Sequence, residues 1–352
     1  MRLLRLLLLP FTFLYSLAVR LKNHLYDIGY TRSFTFDIPV IVVGNLSVGG
    51  TGKSPMVEYL VRLLIGTYSI AILSRGYKRK TKGFRIAGEK DHAATIGDEP
   101  MQYYSKWNRE ITVAVGEDRA EAIPEILFQK PETQVILMDD GFQHRAVTPH
   151  LALLLTAYNK LFYKDYLLPG GWLREPRKEA RRANIIVVTR CPPQIDVTER
   201  KEIVRNISVY ASTTVPVFFT YLTYEQPVGI FSDLNPENFD HVFLFSGIAD
   251  PAPFHEFAHT RWNVYGVKVY KDHHTYTSRD VSEIADMIQG SGHKKMMLLT
   301  TEKDAVKLKN NPEMALLHDL PVFYLPVRMV FIDNGPEFEQ LILEQIQSAT
   351  KK

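Results

Sequence analysis

Gly44-Asn45-Leu46-Ser47-Val48-Gly49-Gly50-Thr51-Gly52-Lys53-Ser54 follows an apolar run at 39–43 and leads into a helical pattern opening at Pro55. Strand, glycine-rich turn, Gly-Lys-Ser and helix is the order that a phosphate-binding loop requires. Glycines let backbone N–H groups close around phosphate oxygens, and the helix amino terminus adds partial positive charge. Residues 47–54 supply the cradle: Ser47, Val48, Gly49, Gly50, Thr51 and Gly52 line it. Lys53 neutralises the β/γ-phosphates, and the Ser54 hydroxyl is placed for Mg2+. Pro55 suits a first helical turn, where its missing N–H costs nothing. One position departs from the strict pattern, which wants glycine five residues before Gly52, where this chain has Ser47.

Outward from this loop, short apolar runs recur between turn residues. Strands are predicted at 69–73, 111–115, 135–138, 151–155, 184–188, 242–245, 264–269 and 296–299, besides 39–43. Several are continuous Val/Ile/Leu, as in strands covered on both faces. Helical spacing falls at 56–64, 118–128, 198–209, 278–288 and 305–308. The alternation predicts an α/β fold: a P-loop NTPase-like, mostly parallel sheet with helices on both faces. Aromatic and β-branched segments at 215–230 and 321–332 bracket the last units, and are read as a two-stranded linker to a smaller α/β carboxy-terminal lobe. The expected organisation is an amino-terminal helix (1–34), a P-loop lobe (35–214), a linker strand (215–239), the smaller lobe (240–320), and a return strand with a final helix (321–352). That helix, at 336–348, is expected to pack back on the first lobe.

The run 135–138 ends in Asp139-Asp140. Acids at the end of a buried parallel strand beside a P-loop are the Walker B arrangement, and Asp139 is the expected metal ligand. Two adjacent aspartates at a strand end cannot face the same way, so Asp140 needs a different role. Gln143 and His144 add an amide and an imidazole on the same loop. Gly97-Asp98-Glu99-Pro100 reads equally as a helix cap and as a site carboxylate. Asp272-His273-His274 fits a metal site, a capping turn or a catalytic base pair. Between Lys160 and Arg190 eight basic residues face three acids, around a glycine-rich loop, Leu168-Pro169-Gly170-Gly171, with Arg174 at its end. Such an arginine can reach phosphoryl charge as it develops.

Composition excludes several classes. The chain has 352 residues, 45% hydrophobic and 23% charged, too apolar for disorder and too polar for a multi-span membrane protein. A net charge of +3 is too near balance for a nucleic-acid binder. The single cysteine, Cys191, excludes an internal disulfide and a cysteine-built zinc site. Residues 1–36 differ from this average: Arg2, Arg5, Arg20, Lys22 and Arg32 oppose only Asp27, around an uncharged run at 6–19. A spanning helix needs about 20 apolar residues, so this run is short. It reads as a helix lying in the cytoplasmic membrane face with basic residues toward anionic headgroups, or as one docked on the protein's own core.

The motifs Gly44-Asn45…Gly52-Lys53-Ser54-Pro55, Ser74-Arg75-Gly76-Tyr77, Gly97-Asp98-Glu99-Pro100 and Asp139-Asp140-Gly141-Phe142-Gln143-His144 occur in order. They are followed by Leu168-Pro169-Gly170-Gly171…Leu173-Arg174-Glu175-Pro176, Ser246-Gly247-Ile248-Ala249-Asp250-Pro251, Asp272-His273-His274 and Thr301-Glu302-Lys303-Asp304-Ala305. Together, over nearly the whole chain, they resemble the tetraacyldisaccharide 4′-kinases, the lipid A kinases of Gram-negative bacteria. The resemblance implies transfer of the γ-phosphate of ATP, with Mg2+, to the 4′-hydroxyl of a tetraacylated disaccharide 1-phosphate. It implies a peripheral enzyme at the cytoplasmic face of the inner membrane, without an obligate protein partner. Asp98 would activate the sugar hydroxyl with His273, rather than His274, supporting it across the cleft. Asp139, Asp140 and Gln143 would arrange Mg2+ and its waters, and Arg174 would neutralise the transferring group. Asn45, Arg75, Arg119 and His144 would face the substrates. The rival readings are a P-loop switch and a membrane-positioning ATPase. Guanine readers show Asn/Thr-Lys-x-Asp, whereas here Lys303 comes one place late; positioning ATPases often carry lysine where this chain has Val48.

Overall fold

The computed structural model describes residues 2–290, 295–309 and 312–350. Residues 1, 351 and 352, at the ends of the expected first and last segments, lie outside the described residues, as do 291–294 and 310–311 within the expected smaller lobe. The strands in chain order are β1 (Val40–Asn45), β2 (Ile70–Ser74), β3 (Arg85–Ile86), β4 (Thr112–Val115), β5 (Val135–Asp139), β6 (Leu151–Ala157) and β7 (Ile185–Thr189). They continue with β8 (Val217–Tyr224), β9 (Val228–Gly229), β10 (His241–Ser246), β11 (Asn263–Val269), β12 (Met296–Thr301), β13 (Val322–Leu325) and β14 (Val327–Phe331). The helices are α1 (Arg2–Asp27), α2 (Lys53–Leu64), α3 (Ala93–Ile96), α4 (Asp98–Trp107), α5 (Arg119–Gln129), α6 (Val197–Ser208), α7 (Ala252–Arg261), α8 (Ser278–Gly290), α9 (Glu302–Lys309) and α10 (Gly335–Thr350).

A nine-stranded sheet runs in the order β14-β8-β7-β6-β1-β5-β2-β4-β3, parallel from β8 through β4 with antiparallel edges. Successive side chains of β1 enter opposite cores: Val40 and Val42 join one, Ile41 and Val43 the other. A strand covered on both faces has no polar side to show, which accounts for the unbroken apolar run in the sequence. Met56, Leu60 and Leu64 of α2, Tyr103 of α4 and Phe338, Ile342 and Ile346 of α10 cover the second face. Ala122, Ile123 and Ile126 of α5 with Ile203 and Ile207 of α6 cover the first. The final helix therefore lies beside the P-loop helix, where Tyr59 donates to Glu339 at 2.6 Å.

A five-stranded sheet, β11-β10-β12-β13-β9, forms the second layer, parallel except at β9. The segments 215–230 and 321–332 each divide between the sheets. β8 and β14 pair antiparallel in the large sheet, β9 and β13 in the small one. The break falls at Pro326, which has no N–H to continue a ladder; its carbonyl accepts from the Glu225 N–H at 3.0 Å.

Helix α1 rests against the large layer by a stripe of Leu8, Thr12, Tyr15, Val19 and Asn23, at helical spacing. Polar contacts hold it: the Tyr15 hydroxyl donates to the Arg174 carbonyl at 2.9 Å, Gly170 N–H donates to Thr12 Oγ1 at 3.0 Å, and Asn23 donates to Glu175 at 3.3 Å. Leu7, Phe11, Phe13, Leu14, Leu17 and Leu21 are left exposed, Phe13 by 69%. Of the two sequence readings, docking on the core thus involves the narrow stripe from Leu8 to Asn23, and Leu7, Phe11, Phe13, Leu14, Leu17 and Leu21 face out. No helix among the described residues is long and apolar enough to cross a membrane.

Candidate active site

Register puts the site together. Val43 of β1 lies opposite Asp139 of β5, so the loop after β1 and the acid pair emerge side by side at the carboxyl ends of the strands. Gly52 takes a φ of 80°, a left-handed turn that lets the chain reverse into α2 without a Cβ penalty. The loop is strapped from outside. Val48 N–H donates to the Trp172 carbonyl at 2.8 Å, Arg174 N–H donates to the Leu46 carbonyl at 2.7 Å, and Ser47 bridges to Leu173. Inside, Asn45 donates to Thr51 Oγ1 at 2.8 Å, and the Thr189 hydroxyl donates to the Thr51 carbonyl at 2.8 Å.

The strap delivers Arg174 to Asp140 and Asn45. Its guanidinium forks onto Asp140 at 2.7 and 3.1 Å and also donates to Asn45. Lys53 Nζ is 3.6 Å from the same carboxylate. Burial opposes the Asp140 charge, but Lys53, Arg174 and Arg119 outweigh it and hold the carboxyl well below the usual range. Asp139 faces the other way, into the core, where Tyr103 donates to it at 3.1 Å. Burial first, then the Glu99 and Asp140 carboxylates, push Asp139 up to about 7. Its Oδ1 is buried with no hydrogen-bond partner. Buried Arg119, brought down to about 10 by burial and by neighbouring Arg75, feels both acids. Arg75 itself is exposed, on the turn after β2.

A second cluster forms across the two sheets. Asp98 opens α4, after Gly97, whose φ is 98°. A Cβ on Gly97 would sit 3.2 Å from the Gly76 backbone, so the turn after β2 and the start of α4 meet backbone to backbone. Asp98 Oδ2 lies 2.9 Å from His273 Nδ1. Lys307 of α9 is 3.8 Å from the same oxygen. His274 turns away: its Nε2 is 3.0 Å from Asp280, and its ring stacks on Tyr270. Of the two histidines, His273 therefore faces Asp98.

Two expected site residues are engaged elsewhere. The Gln143 amide donates to the Asn45 carbonyl at 2.7 Å and to Glu175 at 3.3 Å, and its Oε1 is buried and unpartnered. Among the described residues no hydrogen bond takes it to Ser54 or Asp139. The His144 Nε2 accepts from the Arg119 backbone N–H at 3.1 Å. Burial and then Arg119 lower that imidazole to about 4, which keeps it a neutral acceptor at the start of α5. Lys307, Lys303 and Asp304 near Asp98, and Arg190 near Gly50, carried no assigned role in the sequence. The signals were the Thr301–Ala305 motif for Lys303 and Asp304 and the basic stretch for Arg190, and nothing local links that motif to a residue some 200 positions earlier.

A sequence model of the family described as Tetraacyldisaccharide-1-P 4′-kinase matches residues 4–347. The chain is 41% identical to a tetraacyldisaccharide 4′-kinase of Flavobacterium psychrophilum over 99% of both chains. It is 37% identical to one of Parabacteroides distasonis, over 98% of this chain and 95% of that protein. Among solved structures it is similar to the "apo" form LpxK from Aquifex aeolicus in complex with ATP. The TM-score is 0.75 at 30% identity, over 97% of this chain and 99% of that one. These likenesses do not favour a switch or positioning module. With the P-loop, the paired acids and the facing histidine all present, the chain belongs to the tetraacyldisaccharide-1-P 4′-kinase family.

Proposed function

We propose that the protein binds ATP and transfers its γ-phosphate to the 4′-hydroxyl of tetraacyldisaccharide 1-phosphate, forming lipid IVA, with Asp98 as the base. The supporting observation is the 2.9 Å contact between Asp98 and His273, which joins a carboxylate on the P-loop side to an imidazole on the smaller sheet. A sugar hydroxyl is a weak nucleophile, so a positioned base helps as the new O–P bond forms. The bond from γ-phosphorus to the β,γ-bridging oxygen breaks, ADP leaves, and the hydroxyl proton passes to Asp98. His273 orients that carboxylate. Lys53 and the P-loop amides hold the triphosphate, and Arg174, freed from Asp140, meets the transferring group. Arg75 and Arg119 would face the substrates, with Asn45 and His144 behind them on Arg174 and on the Arg119 backbone.

The residues fit a magnesium site. Asp139 keeps a buried, unpartnered oxygen at the end of β5 and Ser54 lies in the first turn of α2, hard oxygen donors of the kind that Mg2+ takes beside a nucleotide's phosphates. Gln143 would support this set from outside. When bound, Mg2+ offsets charge on the triphosphate. The division at 1–34, 35–214, 215–239, 240–320 and 321–352 serves this chemistry as membrane helix, kinase lobe, linker, facing lobe and return segment. The exposed apolar face of α1 is taken to hold the enzyme peripherally on the cytoplasmic face of the inner membrane, where its lipid substrate lies. The test incubates labelled ATP with the disaccharide 1-phosphate and resolves products by mass. Label on the 4′-position of the lipid supports the reading, and ATP consumption without labelled lipid refutes it.

A further inference from the structure

We propose that Lys307 is a positioning residue for the transfer: its ammonium group, anchored by Asp304, keeps the Asp98 carboxylate ionised inside the cleft. This rests on the reading of Asp98 as the base. The geometry is a closed ring. Lys307 Nζ lies 3.8 Å from Asp98 Oδ2 and 3.1 Å from Asp304 Oδ1. The other Asp304 oxygen accepts from Gly247 N–H at 2.9 Å and from the Thr301 hydroxyl at 2.7 Å. The Gly247 carbonyl accepts from His273 N–H at 3.1 Å, and His273 Nδ1 returns to Asp98. The side chain of Lys307 is 7% exposed and that of Asp304 fully buried, so the charges act through protein rather than water.

The need for a fixed cation follows from the surroundings of Asp98. Burial favours its neutral acid, which cannot take a proton from a hydroxyl. His273 bonds to it through Nδ1. On its own helix Glu99 follows, and across the cleft it faces His273, Asp272 beyond that ring, Lys303, Lys307 and Asp304. Lys303 is shared with Glu99 at 3.3 Å, and Asp272 adds negative charge 3.7 Å from His273. Lys307 is therefore the buried cation beside Asp98. Despite its burial, Asp98 is held below the ordinary carboxylate range, by the His273 hydrogen bond first and then by Lys307.

The test uses the full chain with ATP and the disaccharide 1-phosphate in mixed micelles, comparing wild type, Lys307→Met, Lys307→Gln, Lys307→Arg and Asp98→Asn. The readout is the ratio of variant to wild-type kcat/KM across pH 5 to 8, which cancels the ionisation of ATP. For both neutral variants the ratio is expected to fall about twofold from pH 8 to pH 5, because losing a neighbouring charge raises a carboxylate by about one unit or more, and one that starts below the ordinary value of about 3.9 stays largely ionised until near pH 5. Lys307→Arg should keep a flat ratio. Lys307→Gln retains a donor for Asp304, so it carries the comparison should Lys307→Met melt below the assay temperature. A pH-independent ratio for the neutral variants, or a sloping one for Lys307→Arg, overturns the inference. If Asp98→Asn turns over near the wild-type rate, the base assignment itself fails, whatever Lys307 does.

Discussion

The φ of 50° at Asp140 is a left-handed turn, and it sends that carboxylate to Lys53 and Arg174 while its neighbour Asp139 stays in the core. Adjacent acids are thus given opposite electrostatics by one backbone angle. Arg174 is the group best placed to exchange Asp140 for a phosphoryl oxygen. Arg174→Met is expected to lower kcat about 100- to 1,000-fold, the usual cost of losing one donor to transition-state charge; steady-state kinetics at saturating lipid checks it, and an unchanged kcat would remove the role. Asp98 carries a second consequence. Its folded pKa is depressed, so its contribution to stability is present above the unfolded carboxylate value and is lost as pH falls through the folded one. Urea unfolding should show Asp98→Asn less stable than wild type at pH 7, with the gap shrinking below about pH 4, near the ordinary carboxylate value. A gap that widens toward low pH would contradict the sign.

At the scale of elements, α1 separates docking from exposure. Its inward stripe is held by Thr12, Tyr15 and Asn23, and the outward side chains touch little of the protein. Phe13→Asp with Leu17→Asp should therefore change folding stability by only about 0.5 kcal/mol or less, as surface substitutions do. The same pair should abolish sedimentation with anionic liposomes, since charge on an interfacial apolar face opposes insertion. Retained sedimentation would mean that another surface meets the membrane. The loop 168–176 is the complementary element: it straps the P-loop on one side and receives α1 on the other, so Tyr15 ends 2.9 Å from the carbonyl of the residue whose guanidinium holds Asp140.

Across the whole molecule, the two sheets meet through charge as well as through the chain crossings near Pro326. Lys106 of α4 lies 2.6 Å from Glu58 of α2 and 2.6 Å from Glu302 of α9. On the P-loop side Arg190, whose guanidinium borders Gly50, pairs with Asp250 at 3.2 Å. Lys106→Met would leave the buried Glu302 carboxylate without its cation, Glu58 keeping Arg62 at 3.1 Å, at a cost of about 3–5 kcal/mol. The midpoint of urea unfolding at pH 7 should fall accordingly, and an unchanged midpoint would show that the carboxylate finds another partner.

The P-loop, the acids after β5 and the parallel order were legible because each depends on residues close in sequence: a strand's burial, a glycine's φ, a helix start. The ambiguity of Gly97-Asp98 and of Asp272-His273-His274 had the opposite origin. Local spacing is equally good for a cap, a turn or a base, and what separates these is the partner, which comes from another sheet. The chain itself specified two apolar-faced layers, a phosphate cradle and an amphipathic first helix, since hydrophobic period and turn chemistry are local. Only tertiary structure decided that His273 rather than His274 meets Asp98, that Lys307 and Asp304 stand behind them, and that α1 presents its apolar side outward. Long-range electrostatic pairing is set by how the layers pack, and no spacing along the chain encodes it.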